Sequence, residues 1–404
     1  MTIPDHPAAR PAPLPQGFLF GASTAPHQIE GNNVNSDWWQ LEHAPDTFVS
    51  EPSGDAADSY HRWREDMDLL SELGFNAYRF GIEWARIEPA PGLFSRAAIA
   101  HYRRMVEGAL ERGLQPVVTL QHFTVPQWFA ARGGWLAPDS AELFARYVTA
   151  AAPVIGADVS HVVTINEPNI TALMALRHAG DTDVVIGGPG LPEPHEPTGR
   201  ALARAHRSAY EAVKAISPDI AVGWTVANQV YQAMPGAEAD TRAYAWPRED
   251  YYLAESRADD WVGVQSYTRT RISTEGPLPV PEGAETTLTG WEFYPPALGE
   301  AVRHTADVVG PGVPIIVTEN GIATDDDERR VAYTTGALQG LAGAMADGVD
   351  VRGYLHWSAL DNYEWGSYRP TFGLVGFDPE TFGRRPKPSA RWLGALARSG
   401  RLPA

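Results

Sequence analysis

His161-Val-Val-Thr-Ile-Asn-Glu-Pro-Asn169 reads as a buried strand that stops abruptly at a carboxylate. Val162 to Ile165 is a short β-branched run, long enough for a strand and too short for a helix. Pro168 lacks an N–H, so the ladder cannot continue past Asn166-Glu167. A lone glutamate at a strand end has no chemical meaning, because glutamate is usually exposed. A second stretch built the same way changes that reading. Pro314-Ile-Ile-Val-Thr-Glu-Asn-Gly321 again ends a β-branched strand in a glutamate beside an asparagine, and Glu319 lies 152 residues after Glu167.

Working outward, six more strands alternate with helical segments. Phe18 to Ser23, Phe75 to Trp84, Pro116 to Phe123, Ile220 to Val226, Asp260 to Tyr267 and Val351 to Ala359 are each apolar enough to be buried. Helical spacing is present over 58–73, 99–111, 139–152, 202–216, 297–305 and 328–347, with Gly74 and Gly113 placed to stop the first two. Eight such units predict a single α/β domain closed as a (β/α)8 TIM barrel. Glycine-rich phosphate loops do not follow the strands, which argues against an open nucleotide-binding sheet. Residues 1–16, rich in proline and alanine, are expected to form a flexible arm ahead of a 17–404 catalytic domain.

The charge balance narrows the partners. Fifty acidic residues against 32 basic ones leave a net charge of −18, which disfavours nucleic acid and anionic membranes. The chain has no cysteine, so disulfides, thiol catalysis and thiolate metal sites are excluded together. Without an apolar run of membrane length or a signal-like N-terminus, a cytoplasmic location is expected.

Polar residues gather where the strands end: Gln28, Arg79, His122, Asn166, Glu167, Tyr267, Glu319 and Glu364. In a barrel these ends share one face, the usual place for an active site. Two carboxylates among tryptophans suit glycosidic bond cleavage, in which one group donates a proton while the other stays ionised. Their surroundings must push the two proton affinities apart. Asn166 and Asn320 are expected to supply neutral hydrogen bonds, and Arg79 a cation that holds one glutamate ionised.

These stretches resemble the acid/base and nucleophile signatures of glycoside hydrolase family 1, the β-glucosidase family. Phe18-Leu-Phe-Gly-Ala-Ser23, Tyr78-Arg-Phe-Gly-Ile-Glu-Trp-Ala-Arg-Ile87 and Trp357-Ser-Ala-Leu-Asp-Asn-Tyr-Glu-Trp365 resemble its first, second and last strands. The resemblance runs from about residue 17 to 396 and implies a retaining exo-β-glycosidase, most simply a β-glucosidase with tolerance for galactosyl or fucosyl groups. Glu319 would attack the anomeric carbon, and Glu167 would serve as acid and then base, with the carboxyls roughly 5–5.5 Å apart. Gln28, His122, Asn166, Trp357, Glu364 and Trp365 would bind the sugar. Tyr267 would hydrogen-bond the nucleophile, and Arg79 and Gln265 would support it. A metal or cofactor is not required, and the partner is a small β-glycoside. Oligomeric state is not readable.

The departures from the family pattern are local. His27 stands where Tyr is usual, Phe123 where Trp is common, Gln265 where Asn is usual and Ser266 where Tyr is usual. The loops are short, about 33 residues between the strands ending near Ala227 and starting near Trp261, which implies an open entrance. Trp365 after Glu364, with Arg369 an isolated loop cation, favours an unphosphorylated sugar. The alternatives are a phospho-β-glycosidase or transglycosylase of the same fold, or a carbohydrate-binding barrel without catalysis.

Overall fold

A computed structural model describes residues 13–156, 158–178 and 190–403. The eight strands close into one parallel barrel: β1 (Leu19–Ser23), β2 (Ala77–Gly81), β3 (Gln115–Thr119), β4 (His161–Asn166), β5 (Ala221–Ala227), β6 (Val262–Gln265), β7 (Ile315–Glu319) and β8 (Val351–Trp357). Each strand pairs with its neighbours in sequence, and β8 returns to β1 with Leu19 opposite Gly353. The helices expected between them are present, including Ser59–Leu73, Arg96–Glu111, Glu196–Ile216 and Asp327–Ala346. The first ends at Gly74 in the left-handed conformation (φ 99°), which glycine adopts at no steric cost.

Two apolar layers hold the barrel. Leu19, Ala77, Val117, Val163, Ile316 and Leu355, from six strands, meet inside it beside Trp261. A larger layer, with Phe20, Val118, Val162 and Val317 from the opposite strand faces, packs against the surrounding helices. The alternation of side chains along a strand separates these layers. Leu19, Ala77, Val117 and Leu355 lie inside, so Ser23, Arg79, Thr119 and Trp357 face the axis near the carboxyl ends. Gly321 lets the last turns close: a Cβ there would lie 1.9 Å from the Trp357 carbonyl oxygen.

β4 and β7 break the alternation. The β4–β5 register shifts between Val163 and Asn166, and the β6–β7 register shifts between Val317 and Glu319. Strict alternation from Val163 and Ile316 would point Asn166 and Glu319 outward. The irregularities re-aim both toward the axis, a common use of bulges beside functional sites.

Residues 1–12 of the expected arm lie outside the described residues. Of its remainder, Pro13 bridges to Arg401 and the Leu14 N–H donates to the Gly400 carbonyl. The 33-residue span holds more than a loop: a strand Val230–Ala233, a helix Glu238–Ala245, a π-helical turn Trp246–Asp250 and a helix Tyr251–Glu255. Val230–Ala233 joins Arg269–Ser273 and Gly276–Pro277 in a three-stranded sheet. Among the described residues, no helix is long and apolar enough to cross a membrane.

Candidate active site

The carboxyl ends of the strands surround a cavity of about 990 Å³. Gln28, His122, Glu167, Gln265, Tyr267, Glu319, Trp357, Glu364 and Trp365 line it. Arg79 and Asn166 lie directly behind this surface, both fully buried.

Glu319 is held at both oxygens. Arg79 Nη1 and Gln265 Nε2 donate to Oε1, each at 2.6 Å, and the Tyr267 hydroxyl donates to Oε2 at 2.6 Å. Asn166 anchors the same network, because its Oδ1 accepts from Arg79 Nη2 (2.5 Å), Gln265 Nε2 (2.9 Å) and the Thr225 hydroxyl (3.0 Å). Its Nδ2 is left to face His122 Nε2 at 3.2 Å. Burial, with Arg79 adding, pushes His122 well below its usual range, so the ring is neutral. His122 Nε2 then accepts from Asn166, and the ring proton sits on Nδ1, a buried atom without a partner among the described residues. Gln28 Oε1 and Gln265 Oε1 are likewise buried and unpartnered. Buried polar groups are ordinarily paired, so these three atoms on the wall of a cavity mark where hydroxyls can bind.

Glu167 is treated differently. Its N–H donates to the Thr225 carbonyl, but among the described residues no group donates to its carboxyl. Burial lifts that carboxyl well above the ordinary range; the charge of Glu319 adds and Arg79 opposes. Burial also raises Glu319, against the pull of Arg79 and the Tyr267 hydrogen bond. Arg79 touches Glu319 and not Glu167, so of the two carboxyls Glu167 is the one raised further. Glu167 (φ 44°), Phe123 (φ 63°) and Trp365 (φ 50°) all have left-handed backbones that non-glycine residues seldom adopt, and all three line the cavity.

At the other end of the pocket, Trp357 Nε1 donates to Glu364 at 3.3 Å. Burial raises Glu364 to about 8. Trp365 lies parallel to His122 and to His27, with ring centres 6.0 and 5.6 Å apart, and Phe123 meets it edge-on. His27 is thus a backing for Trp365 and does not line the cavity. It sits 3.5 Å from Glu42 and 3.2 Å from Asn33 Nδ2.

Asn320 corrects the sequence reading. It follows Glu319, so its side chain takes the outer face. There Nδ2 donates to the Ser266 carbonyl (2.7 Å) and Oδ1 accepts from the Tyr354 hydroxyl (3.1 Å), away from both glutamates. Arg369 is exposed and pairs with Asp325 at 3.0 Å, outside the cavity. The sequence reading also overlooked part of the wall: Trp38, Phe48, Asn228, Trp291 and Phe372. Asn228-Gln229 directly follows β5 and repeats the pattern of polar residues ending an apolar strand, so it was findable. Phe48 comes from a loop and Trp38 from the short helix Asp37–Glu42, neither long enough to give a periodic signal.

Comparison with known proteins shows what the chain is similar to. The family model for glycosyl hydrolase family 1 matches residues 10–249 and 249–401. The thermostable β-glucosidase B of Thermobispora bispora is 31% identical, with 98% of this chain and 93% of that protein covered. The bifunctional β-D-glucosidase/β-D-fucosidase of Bifidobacterium breve is 30% identical, covering 94% of this chain and 97% of that one. The crystal structure of β-glycosidase BGL167 superposes with a TM-score of 0.88 at 45% identity, covering 97% and 99%.

Proposed function

The chain belongs to glycosyl hydrolase family 1 and is a glycoside hydrolase, and from that premise we propose that it is a retaining, exo-acting β-glucosidase. Glu319 attacks the anomeric carbon, while Glu167 protonates the departing oxygen and then takes a proton from water. The observation that carries this division is the unequal hydrogen bonding: three donors on Glu319, and none among the described residues on Glu167. An ionised carboxylate needs donors and a protonated one does not. His122 Nδ1, Gln28 Oε1, Gln265 Oε1 and Glu364 supply complementary groups for sugar hydroxyls, with Asn166 directly behind them, and Trp357 and Trp365 offer apolar faces.

An unphosphorylated sugar is supported at the Glu364 end, where Gln28, Trp357 and Trp365 surround the carboxyl and Arg369 is paired elsewhere. Fucosyl tolerance is part of the reading, supported by the bifunctional relative. The apolar lining by Phe48, Leu173, Met174 and Val280, of which Phe48 and Val280 are exposed, supports acceptance of bulky aglycones. A single 17–404 catalytic domain and a cytoplasmic location rest on the sequence reading, and cell fractionation tests the latter.

Substitution separates the two roles. Glu319→Gly removes the nucleophile and is expected to abolish turnover, with a loss of roughly a million-fold. Azide restores the reaction and leaves an α-glycosyl azide. Glu167→Ala is expected to spare nitrophenyl glucosides more than alkyl glucosides, since a good leaving group needs little protonation. Equal sensitivity of both variants to the leaving group would overturn the assignment.

A further inference from the structure

Behind the cavity, one turn of chain touches the supports of both glutamates. Trp246–Asp250 is π-helical, with the Tyr251 N–H reaching back to the Trp246 carbonyl. Pro247 lacks an N–H and crowds the preceding turn, a reason for the helix to widen there. From this turn the Arg248 carbonyl accepts from Asn169 Nδ2 at 2.8 Å. Asn169 stands two residues after Glu167 and also grips the end of β5, exchanging bonds with Ala227 O (2.9 Å) and Ala227 N (3.2 Å). The next residue, Glu249, is buried and accepts from Asn228 Nδ2 at 2.9 Å. Asn228 in turn clamps the backbone of Gln265 at both ends: its N–H donates to the Gln265 carbonyl (2.7 Å), and its Oδ1 accepts from the Gln265 N–H (3.2 Å). Gln265 carries the amide that bridges Glu319 and Asn166.

We propose that Glu249 is a positioning residue, which by holding Asn228 sets where Gln265 places its amide on Glu319. The inference rests on the reading of Glu319 as nucleophile. The turn is tied outward as well: Asp250 pairs with His304 at 2.7 Å, and Arg248 donates to the Leu191 carbonyl and lies on the Tyr244 ring. Glu249 thus acts at second hand. Its carboxyl meets Asn228 Nδ2 and the backbone N–H of Gln229, the residue after Asn228, while His304 is 4.0 Å away. Burial raises Glu249 to about 8, with His304 opposing, so the group is neutral at neutral pH. A glutamine keeps the acceptor and the charge state, whereas a leucine removes the acceptor and leaves Asn228 Nδ2 with Thr305 at 3.3 Å.

The test uses the purified chain with nitrophenyl β-glucoside, each variant checked by its melting temperature. E249Q is expected to keep kcat within about threefold, and E249L to lower it by about 100-fold with KM nearly unchanged, the scale of a displacement of about 1 Å at a reacting centre. N228D loses the donor and sets two carboxyls together, which lowers kcat. N228D/E249Q rebuilds the bond with donor and acceptor exchanged, and is expected to recover most of that loss. Parent-like kcat in E249L, a change confined to KM, or a double variant no better than N228D would overturn the proposal. If E249L does not fold, the exchanged pair decides alone. A parent chain inactive on every aryl β-glycoside overturns the reading of the site and this inference with it.

Discussion

β4 and β7 are built alike in sequence, yet their glutamates are unequally supplied with hydrogen-bond donors. Glu319 belongs to its strand and receives Arg79, Gln265 and Tyr267. Glu167 falls one residue beyond its strand, turns into a left-handed backbone, and has no donor on its carboxyl among the described residues. The residue that takes the Glu319-like place in β4 is Asn166, whose oxygen collects three donors of its own. The difference is one position in register. It separates a carboxyl that receives three donors from one that receives none among the described residues, the contrast on which the proposed division of roles rests.

Removing the shared cation should erase most of that difference. Arg79→Met takes donors from both Glu319 and Asn166, and kcat/KM is expected to fall by at least about 1,000-fold, the upper range for loss of a preorganised donor. Because Arg79 and Glu319 form a buried pair, the variant should also lose about 3–5 kcal/mol in urea unfolding. A variant of parental stability and activity would mean the contrast does not depend on Arg79.

Tyr267→Phe removes a single donor from Glu319, with an expected loss of about 100-fold in kcat. The sign of the pH effect follows from the bond. Tyr267 lowers the proton affinity of Glu319, so its loss raises that affinity. The acid limb of kcat/KM should therefore move to higher pH, and a limb that stays put or moves down contradicts the role.

The smallest effect is read without turnover. Glu319→Gln removes a negative charge that raises Glu167, so the Glu167 carboxyl should titrate at lower pH in carbon-13 spectra. It should stay above 4.5, because burial is the larger cause and remains. An unchanged titration would show that the two carboxyls are not coupled.

The legible parts of the site were those that follow from position along a strand. Arg79 and Trp357 continue an inward alternation from apolar neighbours, and the ends of β4 and β7 are marked by their polar residues. Asn320 was misread because adjacency to Glu319 in sequence puts it on the other face of the strand. Gln265 was visible as an unusual residue, but its bridge between Asn166 and Glu319 joins three strands. His27 was visible as a substitution, while its place behind Trp365 required the last loop to fold back over the first.

The sequence by itself determined the eight alternating units, the closure into a barrel and the placing of two glutamates at strand ends, because these follow from apolar periodicity and from residues that end strands. Only the tertiary structure decided how Asn166 and Glu319 come to face the axis and how Gln265 bridges them. Those outcomes depend on register shifts between neighbouring strands and on partners dozens to hundreds of residues apart. Periodicity carries no information on such shifts, since one extra residue in a ladder reverses the side to which a side chain points.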